Sequence, residues 1–212
     1  MSDFRIIFVV FVLMLLACSS LFVCSLVYPG LNDVLAASGR TPWGIVTSLF
    51  VHDGIEHLSF NMISLFVFSL VFASSNSFLS ETEKKRRIHF FFIVSFSAAI
   101  LSNLLWITLI PQIGTIGASG TVYASEGVMM GFCMMNSLNM LDWAKYKTKG
   151  KYPRLVIAFN LLVLISLLLQ ILFSAGTFLN VGAGVNAAVH GLAFLFSFFL
   201  AAFWILLRRR IF

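Results

Sequence analysis

Six runs of about twenty apolar residues, at positions 6–28, 57–79, 88–110, 119–138, 155–173 and 185–207, leave this chain few ways to fold. Each is the length a helix needs to cross ~30 Å of hydrocarbon, and a helix satisfies its own backbone groups where no water reaches them. One soluble core could not bury so much apolar surface. Of 212 residues, 60% are hydrophobic and 10% charged, against about 25% charged in soluble domains. The sequence therefore predicts an all-α polytopic membrane protein, a single domain of six transmembrane helices over residues 1–212. Lipid is its main solvent, and disorder and nucleic-acid partners are excluded by the same composition.

The net charge of +6 carries topology rather than partner choice. All the Lys and Arg residues except Arg40 sit at the ends of apolar runs: Arg5, then Lys84 to Arg87, then Lys145 to Arg154, then Arg208 to Arg210. The connections 29–56, 111–118 and 174–184 hold only Arg40, so the positive-inside bias predicts both termini in the cytoplasm. Connection 29–56 contains Pro29, Gly30, Pro42, Trp43 and Gly44, a mixture expected of a segment resting at the interface. Cys18, Cys24 and Cys133 lie in apolar runs and are odd in number, which argues against a disulfide framework. A lipoprotein signal ending at Cys18 is the competing reading of the N-terminus, but the apolar run continues to Val27 and is long enough to span. No internal repeat is visible, which weakens a transporter built on duplicated halves.

Three elements carry chemistry. Gly114-Thr115-Ile116-Gly117-Ala118-Ser119-Gly120 precedes the fourth run, and its glycines let a backbone amide at a helix start approach a ligand oxygen. Ser119 is otherwise a simple N-cap. His57 and Asn61 stand four residues apart on one helix face, as hydrogen-bond donors or as interhelical glue. His190 lies among small residues in the sixth run, where an imidazole must face protein or water. By the predicted topology all four residues lie near the external ends of their spans. A serine, a base and spare donors at one depth make an acyl-transfer site. His190 takes the Ser119 proton, while the Ser119 amide, His57 and Asn61 hold the oxyanion.

With His52, His57 and Asn61 at the second span, Gly117-Ala118-Ser119-Gly120 with Tyr123 in the fourth and His190 in the sixth, the chain resembles the rhomboid family of intramembrane serine proteases. The resemblance implies a rhomboid-like six-helix bundle, a Ser119–His190 dyad without a triad carboxylate, and Tyr123 packed against His190. His57 and Asn61 fall in the oxyanion hole, with His52, Gly117 and Gly120 in support. It also implies substrates that are themselves transmembrane helices. Two features depart from the pattern: Ala193 and Ser197 stand where relatives often have glycine, and Trp43-Gly44 is the nearest match to the family's Trp-Arg pair. Both residues of the dyad are present, so an active enzyme is expected.

Rival readings fare less well. His52 and His57 nearly spell an inverted zinc motif, but five residues of separation rotate the two rings about 140° apart on a helix. No cofactor is expected. Asp53 and Glu56 read as solvated acids at a helix start. The phenylalanines at 194, 196, 198 and 199 read as lipid contacts. A non-catalytic relative that binds client helices is the main alternative. Glu126, two turns below Ser119, is expected to be neutral and bonded to Ser197. The simplest setting is a prokaryotic plasma membrane with the site opening externally; the oligomeric state is open.

Overall fold

The apolar runs become helices in the computed structural model, which describes residues 3–77, 79–145, 151–173 and 187–209. In chain order these are α1 (Asp3–Val27), the short α2 (Leu31–Leu35) and α3 (Gly44–Thr47), a 3-10 turn Ser48–Phe50, α4 (Ile55–Ser75), α5 (Glu81–Leu109), α6 (Ser119–Lys145), α7 (Lys151–Phe173) and α8 (Ala187–Arg209). The expected external connection 174–184 lies outside the described residues, as do Lys147, Lys149 and Arg210. Among the described residues there is no strand, only isolated bridges between Ala37 and Thr115 and between Ser38 and Thr41.

Among the described residues four segments are long and apolar enough to cross a membrane: Phe4–Val27, Ile55–Ser75, Glu81–Leu109 and Ala187–Leu207. In α7 the apolar stretch is the shorter Ile157–Leu169. α6 is absent from that set for a physical reason. It packs against α4, α5, α7 and α8, so protein rather than lipid surrounds it, and it buries Ser125, Glu126, Asn136 and Ser137. The exposed large apolar residues lie mostly on the other helices instead, Phe199 of α8 among them.

The start of α5 differs from the sequence expectation by about two turns. Ser80 caps the helix by accepting from the Glu83 amide, Lys84 pairs with Glu81 at 2.9 Å, and Arg86 pairs with Glu83 at 3.3 Å. The basic cluster thus belongs to the helix rather than to a loop. Arg87 turns inward. Its Nη1 donates to Asn76 Oδ1 at 2.7 Å and to Asn136 Oδ1 at 2.8 Å, and its guanidinium lies over the Phe132 ring at 5.1 Å. One buried cation therefore ties the end of α4 to α5 and α6, beside the core of Phe72, Phe91 and Phe132.

α6 and α8 meet along a seam of small residues. A Cβ at Gly127 would collide with Phe194 O and Ser197 Oγ, and one at Gly131 would stand 2.9 Å from Ala201 Cβ. Ala193 and Ser197 are fully buried on the facing side, so the glycines that permit close approach come from α6. The expected Glu126–Ser197 bond is not formed. Ser197 Oγ donates to Phe194 O at 2.9 Å and faces Gly127, and neither carboxyl oxygen of Glu126 has a hydrogen-bond partner among the described residues, although the residue is 1% exposed. Residue 126 is one helical step, about 100°, off the seam that 120, 127 and 131 define.

Candidate active site

The segment before α6 is held from two sides. Ala37 and Thr115 exchange backbone hydrogen bonds at 2.9 and 3.1 Å, and Gly39 N donates to Pro111 O at 2.9 Å. Gly44 packs so closely on Ala36 and Ala37 that no side chain fits there, and Trp43 Nε1 donates to Val34 O at 2.8 Å. The long first connection is therefore an ordered structure strapped to the serine loop. From beneath, Gly117 N donates to Ser48 O at 2.8 Å, and Asn103 Nδ2 holds Ser48 through its Oγ at 3.0 Å.

Gly117 has φ of 110°, a left-handed conformation that glycine adopts without strain. A Cβ there would meet His57 Cε1 and Nε2 at 2.7 Å, so the absence of a side chain makes room for the imidazole. The next amide, Ala118 N, donates to His52 Nε2 at 3.3 Å, and Ala118 O accepts from Thr121 and Val122 as α6 begins. The Ser119 amide takes part in none of these bonds and remains open at the helix start.

Ser119 Oγ lies 2.7 Å from His190 Nε2, which joins the first turns of α6 and α8. For the hydroxyl to donate, the ring proton must sit on Nδ1. That Nδ1 has no hydrogen-bond partner among the described residues, so no third group extends the pair. Tyr123, one turn below Ser119, stacks on the imidazole with centroids 4.3 Å apart and planes at 23°. It fixes the ring by packing. The small-residue seam below keeps α6 and α8 close enough for the contact.

Across Gly117 stand His57 and Asn61 in the first two turns of α4. Asn61 is buried, and its Nδ2 has no partner among the described residues although it lies 3.6 Å from where a Gly117 Cβ would be. An unpaired buried donor costs about 1–3 kcal/mol unless an arriving acceptor takes it up. His57 presents Nε2 and Cε1 toward Gly117.

His52 and Asp53 do different work. His52 is 1% exposed, packs edge-on against the His57 ring at 5.0 Å, and accepts from Ala118 N. Burial, and next the neighbouring His57, push its pKa down to about 4, which keeps it the neutral acceptor the loop needs. Asp53 is exposed to solvent, as the sequence reading has it, and its Oδ1 also lies 2.6 Å from His57 Nδ1, a contact that reading did not include. That contact was open to sequence reasoning, because Asp53, His57 and Asn61 are spaced four apart. Ser48 and Asn103, which hold the serine loop from below, carried no such signal.

Comparison with known proteins bears on the family of the chain. The family model described as the Rhomboid domain matches residues 39–197, about three quarters of the chain. RHOMBOID-like protein 6, mitochondrial, of Arabidopsis thaliana is 28% identical over 112 residues, which cover 52% of this chain and 31% of that protein. The chain thus spans about a third of the length of that relative. With apolar helices able to cross a membrane, a glycine-framed serine facing a histidine, and a family match running through both, the chain belongs to the rhomboid family.

Proposed function

We propose that the protein is an intramembrane serine endopeptidase acting on membrane-protein substrates whose transmembrane segments reach Ser119. The observation that carries this reading is the 2.7 Å contact between Ser119 Oγ and His190 Nε2, beside a buried Asn61 Nδ2 with no hydrogen-bond partner among the described residues. Ser119 Oγ attacks the scissile carbonyl carbon and its proton passes to His190 Nε2. The carbonyl oxygen becomes an oxyanion held by the Ser119 N–H, Asn61 Nδ2 and His57 Nε2. Collapse breaks the C–N bond, His190 returns the proton to the leaving amine, and Ser119 keeps the acyl group. Water, deprotonated by the same imidazole, then releases the second product.

In this reading six helices span the bilayer. α4, α6 and α8 start at the site, while α5 starts at the other end with Lys84 to Arg87, and α8 ends there in Arg208 and Arg209. The positive-inside bias places that basic end in the cytoplasm, so the site opens externally and both termini are internal. The plant relative is mitochondrial by name, which sets an organelle membrane beside the prokaryotic plasma membrane as a setting to test.

The experiment is incubation of the full chain in detergent with a transmembrane reporter substrate, alongside a fluorophosphonate probe. Wild type should cleave the reporter and be labelled, and Ser119→Ala should do neither. Equal cleavage by both would overturn the mechanism; binding of the reporter without labelling would point instead to a client-binding relative.

A further inference from the structure

Resting on the protease reading above, we propose that Asp53 is a positioning residue: it clamps His57 so that the ring serves the oxyanion as a charged imidazolium donor. The 2.6 Å contact joins Asp53 Oδ1 to His57 Nδ1. A carboxylate only accepts, so Nδ1 carries a proton. A neutral imidazole holds one N–H, and with it committed to Asp53, Nε2 has only a lone pair to turn toward Gly117. A lone pair repels an oxyanion. For His57 to hold the tetrahedral intermediate through Nε2, the ring must carry both protons, and the Asp53 carboxylate supplies the matching negative charge. The donor is then charge-assisted, about twice as strong as a neutral one.

The geometry admits little else. Gly117 lies against the Cε1–Nε2 edge of the ring; a flipped ring would exchange those two atoms there and replace Nδ1 by a carbon beside Asp53, losing that bond. The titratable groups around His57 are Asp53 from the turn before α4, His52 edge-on at 5.0 Å, and His190 from α8. Of these only Asp53 is anionic. It stands on the rim with its side chain 64% exposed, while the ring it holds is 30% exposed, so the pair lies at the mouth of the site.

Two measurements on the full chain in detergent test this. The first needs no cleavage. With isotope-labelled histidine, and His57→Ala to assign the signal, the imidazole nitrogen shifts should show His57 protonated at both ring nitrogens, with any neutral fraction carrying its proton on Nδ1. In Asp53→Ala the proton should move to Nε2, because the partner that fixed the tautomer is gone. The second uses the reporter substrate. Asp53→Ala should lower kcat about tenfold with KM within about twofold, since the lost interaction belongs to the transition state. In the His57→Ala background the same change should have no further effect. An exposed side chain can be truncated without threatening the fold. An unchanged tautomer overturns the proposal, as does an unchanged kcat or an equal loss in both backgrounds. If wild type and Ser119→Ala are equally inert, the protease reading fails, and the nitrogen shifts still decide whether Asp53 sets the ring.

Discussion

At the scale of single residues, the site is a set of polar atoms whose bonds are either complete or deliberately open. His52 is complete: it is a buried neutral acceptor for Ala118 N. Its pKa of about 4 in the fold lies below the ordinary imidazole value of 6.5, so the unfolded chain binds the extra proton first as pH falls. The stability His52 contributes is fully present above pH about 6.5 and drains away as pH drops through about 4, by up to ~3 kcal/mol. His52→Gln keeps an acceptor without the titration, so its thermal midpoint should fall less than the wild type's over that range; parallel curves would show that His52 is not responsible. Asn61 is open. Asn61→Ala should slow cleavage tenfold to a thousandfold with little change in melting, because a preorganised donor acts in the transition state. Cleavage at the wild-type rate would make Asn61 helix glue. Residues of both kinds were legible in the sequence, since Ser119, His190, His57 and Asn61 declare themselves by type and setting. The surroundings of Glu126 were not: extrapolating seven residues down two helices presumes that they stay in register, whereas a seam rotated by one residue aims Gly127 at Ser197 instead.

At the scale of elements, hydropathy located the helices and local chemistry set their ends. The cap at Ser80 and the ion pairs behind it start α5 earlier than the apolar run does, because capping and side-chain pairs stabilise turns that hydropathy counts as loop. α6 shows the converse. Its polar residues are tolerated because four helices surround it, an environment that exists only after assembly. The packing of α6 on α8 also orders two glycine substitutions in a way that nearness to the serine would not. A Cβ at Gly120, adjacent to Ser119, meets Ala99 and Val189 only at ordinary contact distances of 3.4 and 3.7 Å, whereas one at Gly127 collides with α8 backbone. Gly127→Ala should therefore destabilise by about 1–3 kcal/mol and depress cleavage by spreading the dyad. Gly120→Ala should melt no lower than wild type, since alanine favours helix by about 1 kcal/mol. The reverse order of melting midpoints would show that the seam is not the tight contact.

At the scale of the whole molecule, the first connection looks like a loop in sequence and behaves as part of the scaffold, tied by Ala37 to Thr115 and by Gly39 to Pro111. Its glycines, proline and tryptophan marked it as interfacial, but its pairing partner lies more than seventy residues away, and single-sequence patterning holds no information about such a pairing. The proposed orientation makes a further testable statement. Single cysteines placed near residue 3 and near residue 207 should be shielded from an impermeant reagent in sealed right-side-out vesicles, and one at Gln112 should be labelled. Labelling at opposite ends would remove the six-span topology.

The central place of the polar helix α6 bears on how the molecule is made. A segment carrying Ser125, Glu126 and Asn136 partitions poorly into lipid alone, so α6 depends on its neighbours to remain in the bilayer. The partner with which it forms its tightest seam, α8, is synthesised after it. Serine and histidine are thus separated in time of synthesis as well as in sequence, and the nascent chain holds a nucleophile with no base until α8 docks. In the proposed mechanism, cleavage therefore waits on the docking of α8, whatever the state of the helices made before it.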